Sequence, residues 1–361
     1  MITSRTFTKD WLVAINRKLG WNRQETQLKN LEKAVTALHL LELLSDAKLH
    51  FIFKGGTSLI LLLKKIYRLS VDIDIIVEEP ISEPESVFTN ICNKSCLFTH
   101  YEQDERDRGA AEDIKHYKFF YQPFVDATEN SYILLDLYRA LNPYSKTLEL
   151  ELASDILNTE GENVSVRVPD IDSILGDKLT AFAPDTIGIP LSAEPGHRPK
   201  RVEVIKQLFD VGNLFDMAED VDSISFSFNT IARQEIERHG LEIKVEDALQ
   251  DCARHAYIIG HGGRVDKAIY DSIAKGFKDF NKFVSDLSFD ERLAVLAAAK
   301  IAYLVSVLLA GGKTLEKYSD EIDMKDWLIQ DSSLLDFNEY LFNNPEAFFY
   351  WFKAEMTRKS T

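Results

Sequence analysis

Two aspartates, Asp72 and Asp74, stand one residue apart in the run Val71-Asp72-Ile73-Asp74-Ile75. On a strand, alternate side chains share a face. Val71, Ile73 and Ile75 then turn toward a core, and the two carboxylates turn together to the other side. Like charges so close repel, and each raises the other's pKa unless a cation sits between them. Mg²⁺ takes carboxylate oxygens and keeps positions open for phosphate and water. Paired ions can clamp the attacking and leaving oxygens of a phosphoryl displacement. A strand with one solvated face would show the same spacing without any chemistry. Upstream, Lys54-Gly55-Gly56-Thr57-Ser58 opens a helical run. Glycines let the backbone approach a ligand closely, and a helix N-terminus offers N–H groups to a phosphate. The plainer alternative is a strand-to-helix turn capped by Thr57 or Ser58. The spacing is neither that of a P-loop nor that of a dinucleotide fingerprint.

Further residues invite the same question. Asp136 is the single acid in Ile133-Leu134-Leu135-Asp136-Leu137. An acid inside an apolar strand is costly unless it faces a cation, a cleft or solvent. Asp126, Glu149 and Glu151 lie in more polar surroundings and are weaker candidates. Lys178 falls on the inward stripe of Ile171, Ile174, Leu175, Leu179 and Phe182. An inward lysine wants an anion, or it snorkels from a stripe edge. Lys206 and Asp210 have the i, i+4 spacing of a helical ion pair. Gly196-His197-Arg198-Pro199-Lys200-Arg201 is the most basic short stretch. With Lys64, Lys65 and Arg68 it could meet phosphates, or it is a solvated loop. Gly260-His261-Gly262-Gly263-Arg264 reads as a helix–helix turn. His255 and His261 fit no ligand spacing and receive no role.

The elements that must position these residues fall into three stretches. Residues 1–48 are helical by their three- and four-residue apolar spacing. Residues 49–169 alternate strands and helices. Strands are expected at FIF (51–53), VDIDIIV (71–77), HYKFFYQ (116–122), YILLDLY (132–138) and NVSVRV (163–168). A helix is expected over SLILLLKKIYR, after the double glycine. Residues 170–361 are almost wholly helical in spacing. The fold class is α+β: a sheet flanked by helices, then a mostly helical C-terminal domain.

The chain has 361 residues, 45% of them hydrophobic and 28% charged, enough for two packed domains. Its formal net charge of −16 excludes nucleic-acid binding through a general positive field. Any RNA partner must meet a local basic patch. The three cysteines, Cys92, Cys96 and Cys252, have no second cysteine pair or nearby histidine to complete a zinc site, and read as reduced thiols. The N-terminus has charges where a signal peptide needs an apolar core. No apolar run approaches the roughly 20 residues of a membrane span; Leu59–Leu63 and Leu293–Leu309 are too short or interrupted by charge. A cytoplasmic protein without membrane partners is expected.

Taken together, GGTSLILLLKKIYRLSVDID resembles the opening motif of the AbiEii/AbiGii toxin family of nucleotidyltransferases, which includes MenT-like toxins and belongs to the DNA polymerase β-like superfamily. The matching residues are Gly55, Gly56, Thr57, Arg68, Ser70, Asp72, Ile73 and Asp74. Lys178, Leu179 and Ala181 match the family's Lys-Leu-x-Ala helix. Lys206 and Asp210 match its Lys-Asp-x-x-Asp motif, with Gln207 replacing the first aspartate. The resemblance covers residues 50–215. It implies a twisted mixed sheet with a helical C-terminal domain closing over a cleft. It also implies transfer of a nucleoside monophosphate from an NTP, with Mg²⁺ (or Mn²⁺) on Asp72 and Asp74 and Asp136 as third acid or base. Gly55, Gly56, Thr57 and Ser58 would cradle phosphates, with Arg68 and Ser70 completing the motif. Lys178 would touch the phosphates, and Asp210 would orient Lys206 or a neighbouring base. Acceptors would be a tRNA or other RNA end, or a protein, and a cognate antitoxin would be a partner. A glycosyltransferase holding a nucleotide sugar through Asp72-x-Asp74, and a catalytically silent binding protein, are the alternatives.

Overall fold

The structure, a computed structural model, describes residues 1–21, 25–63, 65–78, 84–104, 113–126, 131–191, 200–284 and 288–360. The described residues form two units. Unit 1 is Met1–Pro143, Thr147–Asp170 and Lys282–Ser288; unit 2 is Tyr144–Lys146, Ile171–Asn281 and Phe289–Thr361.

Unit 1 opens with helices α1 (Lys9–Lys18) and α2 (Glu25–Asp46). The Thr8 hydroxyl caps α1 by accepting from the Trp11 N–H at 3.3 Å. In α2 the helical spacing of Leu31, Ala34, Val35, Leu38, Leu41 and Leu44 puts all six in the core. Next come β1 (Ile52–Lys54), α3 (Gly55–Leu62), β2 (Ile73–Val77), α4 (Pro84–Lys94), β3 (Phe98–Asp104), β4 (Ile114–Tyr121), β5 (Ser131–Arg139), β6 (Thr147–Glu151) and β7 (Ser165–Pro169). The strands make one mixed sheet in the order β3-β4-β5-β2-β1-β7-β6. β2 runs parallel to β5 and β1 parallel to β7; the other pairs are antiparallel.

Period-two alternation then sorts the side chains. Phe53, Ile73, Ile75, Tyr117, Phe119, Leu135 and Leu137 join one buried cluster with α1, α2 and α4. The Phe88 ring of α4 meets Tyr117 and Phe119 edge-on, with centroids 4.8 and 5.2 Å apart. Each large apolar side chain so buried contributes about 1.5–3 kcal/mol. Residues between them, including Lys54, Asp74, His116 and Asp136, stay on the other, more open side.

Two strands lie outside the sequence expectation. β3 and β6 form the sheet's edges. β3 buries only Phe98 of its seven residues, and β6 buries none. Polar, charged edge strands are the usual protection against strand pairing with other chains, and they erase the hydrophobic alternation that reveals a strand. Helix α3 is also shorter than its spacing suggests. Leu63 is already extended. Beyond it, Arg68 bridges to Val284, and the Leu69 N–H donates to the Phe283 carbonyl at 2.9 Å. Strand-like pairing with Phe283 and Val284 thus captures the backbone that the helix would have used.

Unit 2 holds α5 (Ile171–Ala181), α6 (Arg201–Met217), α7 (Val221–Arg238), α8 (Val245–Gly260), α9 (Lys267–Phe280), α10 (Glu291–Leu309), α11 (Tyr340–Asn343) and α12 (Pro345–Lys359). Helix α10 packs on α6, α8 and α12. It corrects one expectation: it is long and apolar enough to cross a membrane by length and composition. Here it is a mostly buried core helix. Its buried Lys300 pairs with Asp216 at 2.6 Å and Glu346 at 3.1 Å. Glycine allows two close helix contacts. A Cβ on Gly176 would lie 2.6 Å from the Ile224 carbonyl of α7, and one on Gly212 would lie 2.8 Å from Ala297 Cβ of α10.

Candidate active site

In unit 1 the sheet register brings the strand carboxylates together. Asp74 on β2 is the cross-strand partner of Lys54 on β1 and of Asp136 on β5. Asp136 is in turn the partner of His116 on β4, and His116 of Asp104 on β3. A row of polar residues thus crosses five neighbouring strands: Lys54, Asp74, Asp136, His116, Asp104. The His116 Nδ1 lies 2.7 Å from Asp136 Oδ1, both side chains being mostly buried. The Lys54 ammonium lies 4.9 Å from the centre of the Tyr138 ring. Asp72 is exposed and falls just before the first ladder residue, Ile73, so the strand is shorter than 71–77.

The double glycine sits against this row. Gly55 has φ +77°, and a Cβ there would fall 2.1 Å from Asp74 Oδ2. Only glycine lets the backbone at the start of α3 lie on that carboxylate. A Cβ on Gly56 would fall 2.5 Å from Arg68 Nη2 and 2.9 Å from Ser70 Oγ. Arg68 and Ser70 therefore pack on the turn, and the Arg68 Nη1 also donates to the Leu69 carbonyl at 3.2 Å. Thr57 and Ser58 are fully buried. The Thr57 hydroxyl donates to the Asp72 carbonyl at 2.5 Å, and the Ser58 hydroxyl to the Gly55 carbonyl at 2.8 Å. Their side chains are committed inside the turn, so only its backbone is left to cradle a phosphate. Asp74 and Asp136, side by side, offer carboxylate oxygens alone, the ligands that a hard divalent cation such as Mg²⁺ takes, while Asp72 lies outside the ladder that joins them. The weaker acids are elsewhere. Asp126 pairs with Lys29 at 3.1 Å, and Glu149 and Glu151 lie on edge strand β6.

The remaining predicted residues belong to unit 2. Lys178 on α5 is buried, and its Nζ lies 3.2 Å from Asp210 Oδ2 on α6. Asp210 thus pairs with the Lys178 ammonium. Lys206, one turn earlier on α6, is half-buried. Gln207 is buried; its amide donates to the Glu203 carbonyl at 3.3 Å, while its Oε1 has no hydrogen-bond partner. Of the basic stretch, residues 196–199 lie outside the described residues, as does Lys64. Arg201 begins α6 and donates to the Ser272 hydroxyl at 3.1 Å.

A model of the family described as nucleotidyl transferase AbiEii toxin, type IV TA system, matches residues 39–300. The chain belongs to this family. AbiEii membership makes it an enzyme of the nucleotidyltransferase class. The matched span runs from α2 to α10 and contains every residue assigned a role from the sequence. Among solved structures, MenT4, a nucleotidyltransferase toxin from Mycobacterium tuberculosis, matches with 14% identity and a TM-score of 0.47. That match covers 82% of this chain and 98% of MenT4. No curated protein matches the sequence.

Within this AbiEii chain, sequence reasoning missed His116 and Lys54. Alternation along HYKFFYQ does separate His116 from Tyr117 and Phe119. Which residue it meets on β5 is set by lateral register, and spacing within one strand carries no information on that. Sequence reasoning also missed a second group. Among the described residues, Asp185, Asp251 and His255 each offer a donor atom within 4.8 Å of the others.

Proposed function

We propose that the chain transfers a nucleoside monophosphate from an NTP to an acceptor hydroxyl, using Mg²⁺ held by Asp72, Asp74 and Asp136. The observation that carries this reading is the register that sets Asp74 beside Asp136, with the Gly55 backbone pressed onto the Asp74 carboxylate. Two carboxylates abreast repel unless a cation joins them. Mg²⁺ bound there would neutralise charge on the triphosphate and on the departing pyrophosphate.

The chain's own groups do the rest. The first N–H groups of α3 have no intrahelical acceptor and bind phosphate oxygens. Arg68 and Ser70 keep the Gly56 turn in shape, and Thr57 ties it to the strand at Asp72. Asp136, steadied by His116, orients the acceptor hydroxyl or accepts its proton. Lys178 supplies positive charge to the phosphates, with Asp210 fixing its ammonium and Lys206 adding to the field. In-line attack on the α-phosphorus breaks its bond to the bridging oxygen, and pyrophosphate leaves. The acceptor is an RNA end, tRNA foremost, or a protein. The family's description supports a toxin that a cognate antitoxin restrains. Work in the cytoplasm, where NTPs are found, fits this chemistry.

Label transfer tests the reading. The protein is incubated with Mg²⁺ and each α-labelled NTP, first with total tRNA and then with cell protein. The Asp72→Ala/Asp74→Ala variant runs in parallel. Label on tRNA that vanishes in the variant is the expected result and names the nucleotide. Label on protein instead assigns a protein acceptor to the same site. Absence of transfer and of NTP binding would favour the silent binding protein or the sugar-nucleotide enzyme.

A further inference from the structure

We propose that Asp185, Asp251 and His255 form a second cation site, in the helical unit, suited to a borderline transition-metal ion of the Zn²⁺ class. Asp251 and His255 are one turn apart on α8 and so share a face. Asp185 follows α5, and Asp251 clamps its loop: Asp251 Oδ2 accepts from the Asp185 N–H at 2.8 Å and from the Thr186 hydroxyl at 2.9 Å. One donor atom of each of the three residues lies within 4.8 Å of the others.

The decisive atom is His255 Nε2. The ring is completely buried. Its Nδ1 has the Asp251 carbonyl oxygen as hydrogen-bond partner at 3.1 Å, which places the ring proton there; Asp251 Oδ1 lies 2.8 Å away but makes no hydrogen bond. Nε2 is then a lone-pair acceptor. It is buried without a hydrogen-bond partner, and 3.8 Å away it meets another acceptor, Asp185 Oδ2. Two acceptors facing each other call for a cation. A backbone carbonyl behind an imidazole whose far nitrogen binds a metal is a usual support for a histidine ligand. His255 Nε2 and the Asp185 carboxylate are the ligands, Asp251 holds the ring, and water completes the shell. The mixed nitrogen and oxygen donors favour Zn²⁺, Co²⁺ or Ni²⁺ over Mg²⁺, which takes oxygen alone. The site therefore differs in metal class from the three-carboxylate set.

The Arg254 guanidinium competes, because it pairs with Asp185. It also lies 3.9 Å from Asp266 Oδ2, so it has a second partner when a metal enters. This competition supplies the test. Full-length protein carrying Asp72→Asn/Asp74→Asn, to silence the other carboxylates, is titrated with Zn²⁺ by calorimetry and with Co²⁺ by visible absorption. One equivalent is expected, with Co²⁺ ligand-field bands. Asp185→Asn, whose side chain is half exposed and so leaves the core alone, should abolish both signals. Asp251→Ala, which frees the Asp185 loop, should weaken binding. Arg254→Gln should tighten it. The site is overturned if Asp185→Asn titrates like its parent. It is equally overturned if neither the parent nor Arg254→Gln binds Zn²⁺, which would leave Arg254–Asp185 as a plain ion pair.

Discussion

His116 touches Asp136, and Asp136 lies abreast of Asp74, so an imidazole backs the carboxylate nearest the Asp-x-Asp pair. A buried partner of this kind fixes the acid's orientation, and losing it commonly costs 10- to 100-fold in activity. His116→Ala should therefore lower kcat by about that factor while the KM for NTP stays within about twofold. His116→Gln, which can still donate, should restore part of the rate. Steady-state kinetics decide the matter; an effect confined to KM would remove His116 from any positioning role. Gly55 offers a second residue-scale test with its own control. Gly55 and Gly161 both have positive φ, +77° and +69°. Alanine at either should cost about 1–2 kcal/mol of backbone strain. Only at Gly55 would the new Cβ strike a carboxylate, Asp74 Oδ2; around Gly161 there is open space. Both variants should melt lower than wild type, and Gly55→Ala alone should lose transfer activity. Full activity in Gly55→Ala would show that the contact with Asp74 is incidental.

At the scale of elements, what could be read in advance follows from how local the signal is. Strand β2 with Asp74, though not Asp72, and the glycine turn before α3 were legible because period-two alternation and helix initiation act over a few residues. The edge strands β3 and β6 were not, since polar edges carry no hydrophobic alternation. Nor was the end of α3 at Leu62, which depends on pairing with Phe283 and Val284. The Lys178–Asp210 contact is of the same long-range kind: the apolar stripe of α5 showed Lys178 turning inward, but only the packing of α5 on α6 supplies its partner. Both side chains are buried, at 8% and 2% exposure. Removing one partner of such a pair strands a charge and costs about 3–5 kcal/mol, whereas replacing both with apolar groups is often neutral. Asp210→Leu should lower the unfolding free energy by about that amount, and Lys178→Met by less, since Asp210 has further interactions. The double variant should recover most of it and remain inactive in transfer. A double variant that regained activity would make the pair purely structural.

For the whole molecule, the net charge of −16 leaves little general cost in keeping lysines charged, so a lysine with a depressed pKa must owe it to its site. Lys317 is such a case. Burial lowers it from 10.5 to about 8, against the opposing pull of Asp216. Its ammonium donates to the Phe215 carbonyl near the end of α6 and lies 3.9 Å from the centre of the Phe215 ring. Between about pH 8 and 10.5 the unfolded chain binds this proton and the folded chain has released it. Stability therefore rises with pH across that window, by linkage, as the cost of burying the charge is relieved. Burial also raises the Cys252 thiol and the Tyr350 hydroxyl, which act the other way above pH 9 or 10. Those contributions are common to wild type and Lys317→Met and cancel in their difference. Urea unfolding of both proteins from pH 7 to 10 should show wild type gaining on Lys317→Met as pH rises. A difference that stays flat would mean that Lys317 keeps an ordinary pKa, with its ammonium hydrated rather than pressed onto Phe215.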